Sequence, residues 1–471
     1  MKQVKIIFIV IFFVVLYLPM IFFNHQKNAV SEIDNKVLTE NPLSANAKPV
    51  DDLTNALESF VSERIGFRDE MILGYTIVND WLFGEMVHPS YMYGKDGYVF
   101  IKVKQNKEYG AYHDAFVNML CEIQKYCDDR NIAFVFIYQP SKKDVLREKL
   151  PNGYNYNNDW VSIFFDKLDE NGINYVDNSA LLKRCTEEGI QVFNVKYDAN
   201  HWNATGAFYG VNNALSKLKE SNPLVHVNTI EEFIIDQELR TTLHEQVSKF
   251  PIKEYVPVFY LVDSDKIENV TDDYNDEIEI DTQHKHFSYF RNRKRLEEDA
   301  PKVLVFQGSY INGKGYKYFQ NSFGEYIGVH SYNNIINFDY YVNIFKPDCI
   351  VLDCAEQAFS DSYFNSDSMS SFKLNPLLSS FDDYKTIQID GNMELQQGTS
   401  LTQIKLYDAI DSDWAYVVIN DIVFDMKKCI DEETHEIYYT VTIINDNYNA
   451  ENISFILIDT KEQTKSILHI N

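Results

Sequence analysis

The stretch NVKYDANHWNATGAFYG, from Asn194 to Gly210, sets Asp198, Asn200, His201, Trp202 and Asn203 within six positions and then turns small and apolar. A second stretch, VLVFQGSYINGKG, runs from an apolar segment into Gly308, Ser309 and Tyr310. A serine hydroxyl needs a base to take its proton, and the imidazole that does so needs a carboxylate to fix its tautomer. Asp198 and His201 supply carboxylate and imidazole on one loop, and Ser309 supplies the hydroxyl. A serine on a tight strand-to-helix turn exposes its oxygen, while nearby backbone N–H groups can form an anion pocket. The chemistry these types support is nucleophilic catalysis by serine. Taken singly, each motif is common: Gly-Ser after a strand is usually a turn, and Asp-x-x-His is little more. Their pairing in one domain carries the signal.

Such residues need elements to bring them together. IAFVFIY (132–138), INYVD, KVLVFQ, EYIGVH and DCIVLD read as strands. Helical stripes alternate with them, at Tyr112, Ala115, Phe116, Met119, Leu120 and Ile123, and again at Ala204, Ala207, Phe208, Val211, Leu215 and Leu218. Asn203 is placed as the N-cap of the latter helix. Apolar strands alternating with helices predict an α/β fold, a mainly parallel sheet flanked by helices. Function in such sheets collects at the carboxyl ends of strands, where both loops are expected. Residues from about 222 to 300 break the rhythm with DSDKIENVTDDYNDEIEID and read as an acidic insertion or lid-like segment. From about 384 to 471, runs such as WAYVVINDIVFDM, IYYTVTII and ISFILIDT predict a small β domain, a sandwich.

At the other end, Lys2 and Lys5 precede an uncharged apolar run from Ile6 to Phe23, long enough to cross a bilayer as a helix. No small-x-small cleavage site follows, which favours a retained signal anchor. Lysines on the short N-terminal side favour a body that faces outward. The expected order is a transmembrane anchor over 1–24, a linker over 25–48, a catalytic α/β domain over 49–383, and a β-rich accessory domain over 384–471 with glycan binding as its candidate role. A net charge of −27 argues against nucleic acid and against attraction to anionic lipid. The spacing of the six cysteines suits buried free thiols better than disulfides. No residue spacing suits a metal, no glycine-rich loop suits a nucleotide, and no cofactor is expected.

Four segments carry a family resemblance: RIGFRD (64–69) with YGKDGYVF, YQPSKKDVLREKLP (138–151), YDANHWNATGA, and FQGSY. In this order they resemble the membrane-anchored SGNH-type acyltransferases that modify bacterial exopolysaccharides, the alginate O-acetyltransferase family of AlgJ and AlgX type. The resemblance covers roughly residues 50–360, and Trp202 after the histidine, with Gly206 and Ala207 downstream, is its most specific part. It implies an SGNH-hydrolase-like fold, Ser309 as nucleophile, His201 as base and Asp198 as its orienter. It also implies an oxyanion hole from backbone N–H groups at Gly308 and Ser309, with Asn333 or Asn334 as side-chain donor candidates. Trp202 is read as packing beside the histidine and, with Tyr310, as a substrate-binding candidate; Lys142 is read as structural. Two departures stand out: the family spaces Asp and His by one residue where two intervene here, and it has Asp or Thr where this chain has Gly308.

The function so implied is an extracytoplasmic O-acyltransferase, acetyl being the expected group, acting on an exopolysaccharide or cell-envelope glycan. A multi-pass membrane protein is the expected partner that delivers the acyl group. An acetyl esterase with the same triad is the first alternative, and a catalytically silent scaffold of polysaccharide assembly is the second.

Overall fold

The computed structural model describes residues 2–470 apart from 28, 32–35, 45–51, 103–107, 245–247, 281–285, 432–433 and 448–452. Of the expected linker, residues 28, 32–35 and 45–48 lie outside the described residues. The apolar runs become the strands of one seven-stranded sheet: β1 (Ala133–Gln139), β2 (Tyr175–Asp177), β3 (Ile267–Asn269), β4 (His286–Asn292), β5 (Lys302–Phe306), β6 (Glu325–His330) and β7 (Cys349–Ala355). Their spatial order is β2-β1-β7-β5-β6-β4-β3. The five strands from β2 to β6 pair in parallel, and β4 and β3 close the far edge antiparallel. β1 and β7 are buried at every residue, which is why their sequences are unbroken apolar runs rather than alternating ones. Helices Ala111–Asp129, Trp160–Glu170 and Phe338–Phe345 share the core of these strands.

Four further helices matter below: α1 (Lys2–Ile21), α2 (Leu53–Arg64), α3 (Arg68–Phe83) and α4 (Ala204–Ser221). α1 is apolar, and none of Val4–Ile21 is buried within the chain. All six cysteines are free, and four of them are buried.

Two expectations are corrected. The acidic stretch 222–300 is not an insertion outside the sheet, because β3 and β4 lie within it and complete the edge of the sheet beside β6. The same stretch contains a long antiparallel hairpin, Phe233–His244 with Ser248–Leu261, whose alternating exposure hid it from a search for apolar runs. The C-terminal strands, from Lys385–Gln388 to Thr464–Ile470, form one continuous eight-stranded sheet and not a sandwich of two. The sheet curls into a half-barrel around Ile404, Val417, Phe424, Tyr439, Phe455 and their neighbours. It docks on the α/β domain through Asp425, which accepts from Tyr126 Oη at 2.6 Å and pairs with Arg130 at 3.4 Å. On the other side the Glu277 carboxylate accepts the backbone N–H groups of Thr399, Ser400 and Leu401.

Candidate active site

Ser309 follows β5 by way of Gln307 and Gly308 and opens the turn into the helical segment Ile311–Ser322, with its own side chain exposed. His201 Nε2 lies 2.8 Å from Ser309 Oγ, and His201 Nδ1 lies 2.6 Å from Asp198 Oδ1. A carboxylate only accepts, so Nδ1 carries the proton of a neutral ring and Nε2 turns its lone pair on the hydroxyl. The three residues form one hydrogen-bonded line from an exposed hydroxyl to a buried carboxylate.

The loop that carries Asp198 and His201 differs from expectation. It runs from the helix Asn178–Glu187 to α4 with no strand before it, so its position comes from outside. Glu254, on the long hairpin, accepts the N–H groups of Val195, Lys196 and Tyr197 at 2.6, 2.8 and 2.6 Å. Leu243 O, on the same hairpin, accepts the Asp198 N–H at 2.9 Å. Lys142 is buried and donates from Nζ to Val99 O at 2.9 Å and Val195 O at 3.2 Å. Burial pushes the Lys142 ammonium down to about 7, against the opposing pull of Glu254 and Asp198. Asp198 itself is left-handed, with φ of 55°, a region that Asp and Asn tolerate better than most residues. Asn203 caps α4 by accepting the Gly206 N–H at 2.9 Å.

Burial alone would raise the Asp198 carboxyl, but the His201 ring and the Lys314 ammonium outweigh it and hold the group well below the usual carboxylate range. Lys314 Nζ pairs directly with Asp198 Oδ2. His244, lowered by burial, adds a further ring to this surround. Sequence reasoning missed Lys314, His244 and Glu254. Lys314 had a signal, since it stands in the turn that Ser309 opens; Glu254 had none, because its target is the backbone.

Trp202 and Tyr310 are fully buried, so the expectation that they touch substrate is corrected. Trp202 Nε1 donates to Tyr310 O at 3.0 Å, and the Tyr310 ring meets His201 edge-on at 5.0 Å. Tyr310 Oη lies 3.0 Å from Asn200 O and 3.2 Å from Pro140 O, which joins the histidine loop, the serine turn and the end of β1. These aromatics are the floor of the site. Gly210 is glycine because a Cβ there would lie 2.2 Å from the Trp202 ring.

Gly308 is also corrected as an oxyanion donor, because its N–H points inward to Asp353 Oδ2 at 3.2 Å. Burial pushes the Asp353 carboxyl up to about 7 even with that bond. A Cβ at Gly308 would lie 2.1 Å from Tyr332 Cε1, so this turn excludes the Asp or Thr expected from the resemblance. Asn334 is buried, donates to Ser331 O at 2.7 Å and accepts from Tyr341 Oη at 3.3 Å. Those contacts occupy its amide within the Tyr332–Asn337 segment, where Asn333 also stands. Among the described residues no group of three or more His, Cys, Asp or Glu is arranged to hold a metal ion.

Glu254→Ala is expected to cut kcat by about tenfold to a hundredfold with KM little changed, since a misplacement of about 1 Å can cost that much. The three N–H groups it serves would lose their acceptor, so Tm falls as well. Glu254→Gln, which keeps one acceptor oxygen, should lie between. Steady-state kinetics and thermal melting of both variants check this.

A mainly parallel α/β sheet carries a serine at a strand end and a His-Asp pair on a facing loop, and the match to a family model makes this domain SGNH-like. Residues 92–250 match the family model described as SGNH hydrolase-like domain, acetyltransferase AlgX, and that segment is similar to this family. Among solved structures, Bacillus cereus PatB1 is similar at 15% identity and a TM-score of 0.45, over 59% of this chain and 98% of that one. The O-acetyltransferase domain of Pseudomonas putida AlgJ is similar at 13% and 0.40, over 60% and 99%. Pseudomonas aeruginosa AlgX is similar at 14% and 0.38, over 80% and 90%. No curated protein sequence matches the chain.

Proposed function

We propose that the chain is a membrane-anchored, extracytoplasmic O-acetyltransferase that works through an acyl-serine on an exopolysaccharide or cell-envelope glycan. The observation that carries this is the line from Asp198 through His201 to the exposed Ser309 Oγ, in a chain whose residues 92–250 match an acetyltransferase family. His201 takes the Ser309 proton as Oγ attacks the acyl carbonyl, then gives it to the leaving group. Asp198 holds the ring and balances the imidazolium that forms. A glycan hydroxyl, deprotonated by the same ring, then takes the acetyl from Ser309, and the ring returns that proton to Ser309 Oγ as the acyl bond to it breaks. α1 is the single-pass anchor, and a multi-pass membrane protein brings the acetyl group, because one helix has no path for carrying it across a bilayer. The C-terminal sheet is an accessory domain for the glycan.

Acyl transfer and hydrolysis share the acyl-enzyme and differ in what attacks it. A bound hydroxyl gains an effective molarity of about 10⁵ M or more when well oriented, enough to outrun water. Full-length protein in detergent, given an activated acetyl ester and candidate oligosaccharides, should therefore acetylate an oligosaccharide faster than it releases acetate. Mass spectrometry of the glycan and an acetate assay read the two outcomes together. Rapid deacetylation of an acetylated glycan with no transfer to any acceptor would make the protein an esterase.

A further inference from the structure

The segment Arg64–Asp69 joins α2 to α3 and takes no part in the acyl chemistry. It grips the chain that leaves α1. Arg64 is buried, and its guanidinium donates to the carbonyls of Thr39, Asn24, Gln26 and Leu38 at 2.7, 3.1, 2.8 and 3.2 Å. Asn24 N–H donates to Arg64 O at 2.8 Å, and Gly66 N–H donates to Pro19 O at 2.9 Å. A Cβ on Gly66 would lie 2.6 Å from Phe22 Cβ and from Phe22 O, so only glycine lets the two segments meet. Phe22 packs edge-on to Phe67 at 5.0 Å, and Phe23 to Phe60 at 5.5 Å. The end of α1 and the start of α3 are thereby one joint.

From that joint α3 runs sixteen residues, about 24 Å of helix. Met71, Tyr75, Ile77, Val78, Trp81 and Leu82 all recur at helical spacing on one face, and all are exposed, Trp81 at 81%. Gly74 shares that face, and Glu70 at its edge is the charge it carries. A continuous apolar face of this kind on a folded protein marks a contact surface. The opposite face packs Leu73 into a cluster of Met86, Tyr91, Val99, Ala199, Leu243 and Phe250. Ala199 stands between Asp198 and His201.

We propose that α3 lies in the membrane interface with this face on lipid, and holds the catalytic loop one packed layer above the bilayer. The occupant is set by continuity, since α3 begins where α1 leaves the hydrocarbon; this rests on reading α1 as the membrane span. Tyr and Trp belong at such an interface, with the ring in the acyl boundary and the polar edge in the headgroups. Asp69, Glu70 and Asp80 oppose attraction to anionic headgroups, so the contact is apolar insertion that a zwitterionic bilayer satisfies. The consequence for function is that the acyl group is taken up at the membrane surface, where a membrane-borne donor presents it.

The test reconstitutes the full chain into phosphatidylcholine vesicles, with and without bromine on the acyl chains close to the headgroup. Trp160 and Trp202 are buried and Trp414 lies on the C-terminal sheet, so lipid bromine reads Trp81. Wild type is expected to lose emission in brominated lipid, and Trp81→Phe, which keeps the ring and the fold, is expected to lose this quenching. Vesicle-bound protein whose emission is untouched by bromine would overturn the proposal for α3 while leaving the α1 anchor standing. Failure to stay with the vesicles would overturn both. A photo-crosslinker at Val78 that captures a protein in native membranes, with no bromine quenching, would reassign the face to a protein partner and overturn the lipid reading.

Discussion

Ser309→Ala is expected to lower kcat for acetyl release and acetyl transfer alike by about 10⁶-fold, the scale seen when a triad nucleophile is removed. In the proposed mechanism both reactions pass through the same bond, from Ser309 Oγ to the acyl carbon, so one substitution removes both. His201 Nε2, 2.8 Å from that oxygen, would then face a methyl group with no proton to take. The fold should be unaffected, because Ser309 is exposed and contributes no packing. Intact-protein mass spectrometry after a pulse of activated acetyl ester checks the mechanism directly. Wild type should gain one acetyl group and Ser309→Ala none; a fully active variant would end every reading that uses this serine.

Asp198→Asn is expected to cost about 10⁴-fold in kcat, because the amide favours the tautomer with the proton on Nε2, the wrong nitrogen for a base. Asn suits the left-handed φ of 55° at this position, so the loss reports chemistry and not backbone strain. Asp198 also anchors Lys314, and the variant would leave that partly buried ammonium without its carboxylate. A second readout follows from the depressed Asp198 carboxyl. Its folded-state affinity for protons is lower than in the unfolded chain, so its contribution to stability is present above the unfolded value of about 3.9 and is lost as pH falls through the lower folded one. Wild type should therefore lose stability more steeply than Asp198→Asn as pH drops below about 4. Activity assays at neutral pH and melting curves across the acid range measure the two effects separately. An Asp198→Asn enzyme within a few-fold of wild type would remove Asp198 from the mechanism.

Much of what matters here is local and was legible without coordinates. Unbroken apolar runs marked β1, β5, β6 and β7, and a period-3.6 pattern marked the stripe of α4, because strand or helix burial is written in consecutive side chains. Asn203 was readable as a cap because its side chain satisfies an amide three residues on. The residue types of the site, a serine on a strand-end turn and Asp-x-x-His ahead of a helix, were readable for the same reason. Other features depend on segments that meet only when the chain folds. His201 and Ser309 are 108 residues apart, and whether they touch depends on how the serine turn and the histidine loop pack across Tyr310. Glu254 steadies the histidine loop through backbone N–H groups, which every residue has and no motif records. Gly308 turned its amide to Asp353, and Trp202 and Tyr310 went under the histidine, because close packing around Tyr332 and at the end of β1 left no other arrangement. Composition and spacing by themselves determined the class of fold, the apolar N-terminal helix and the chemical vocabulary of the site. The tertiary structure decided which groups face the reacting oxygen and which support them, since that is a matter of distance between elements and not of order along the chain.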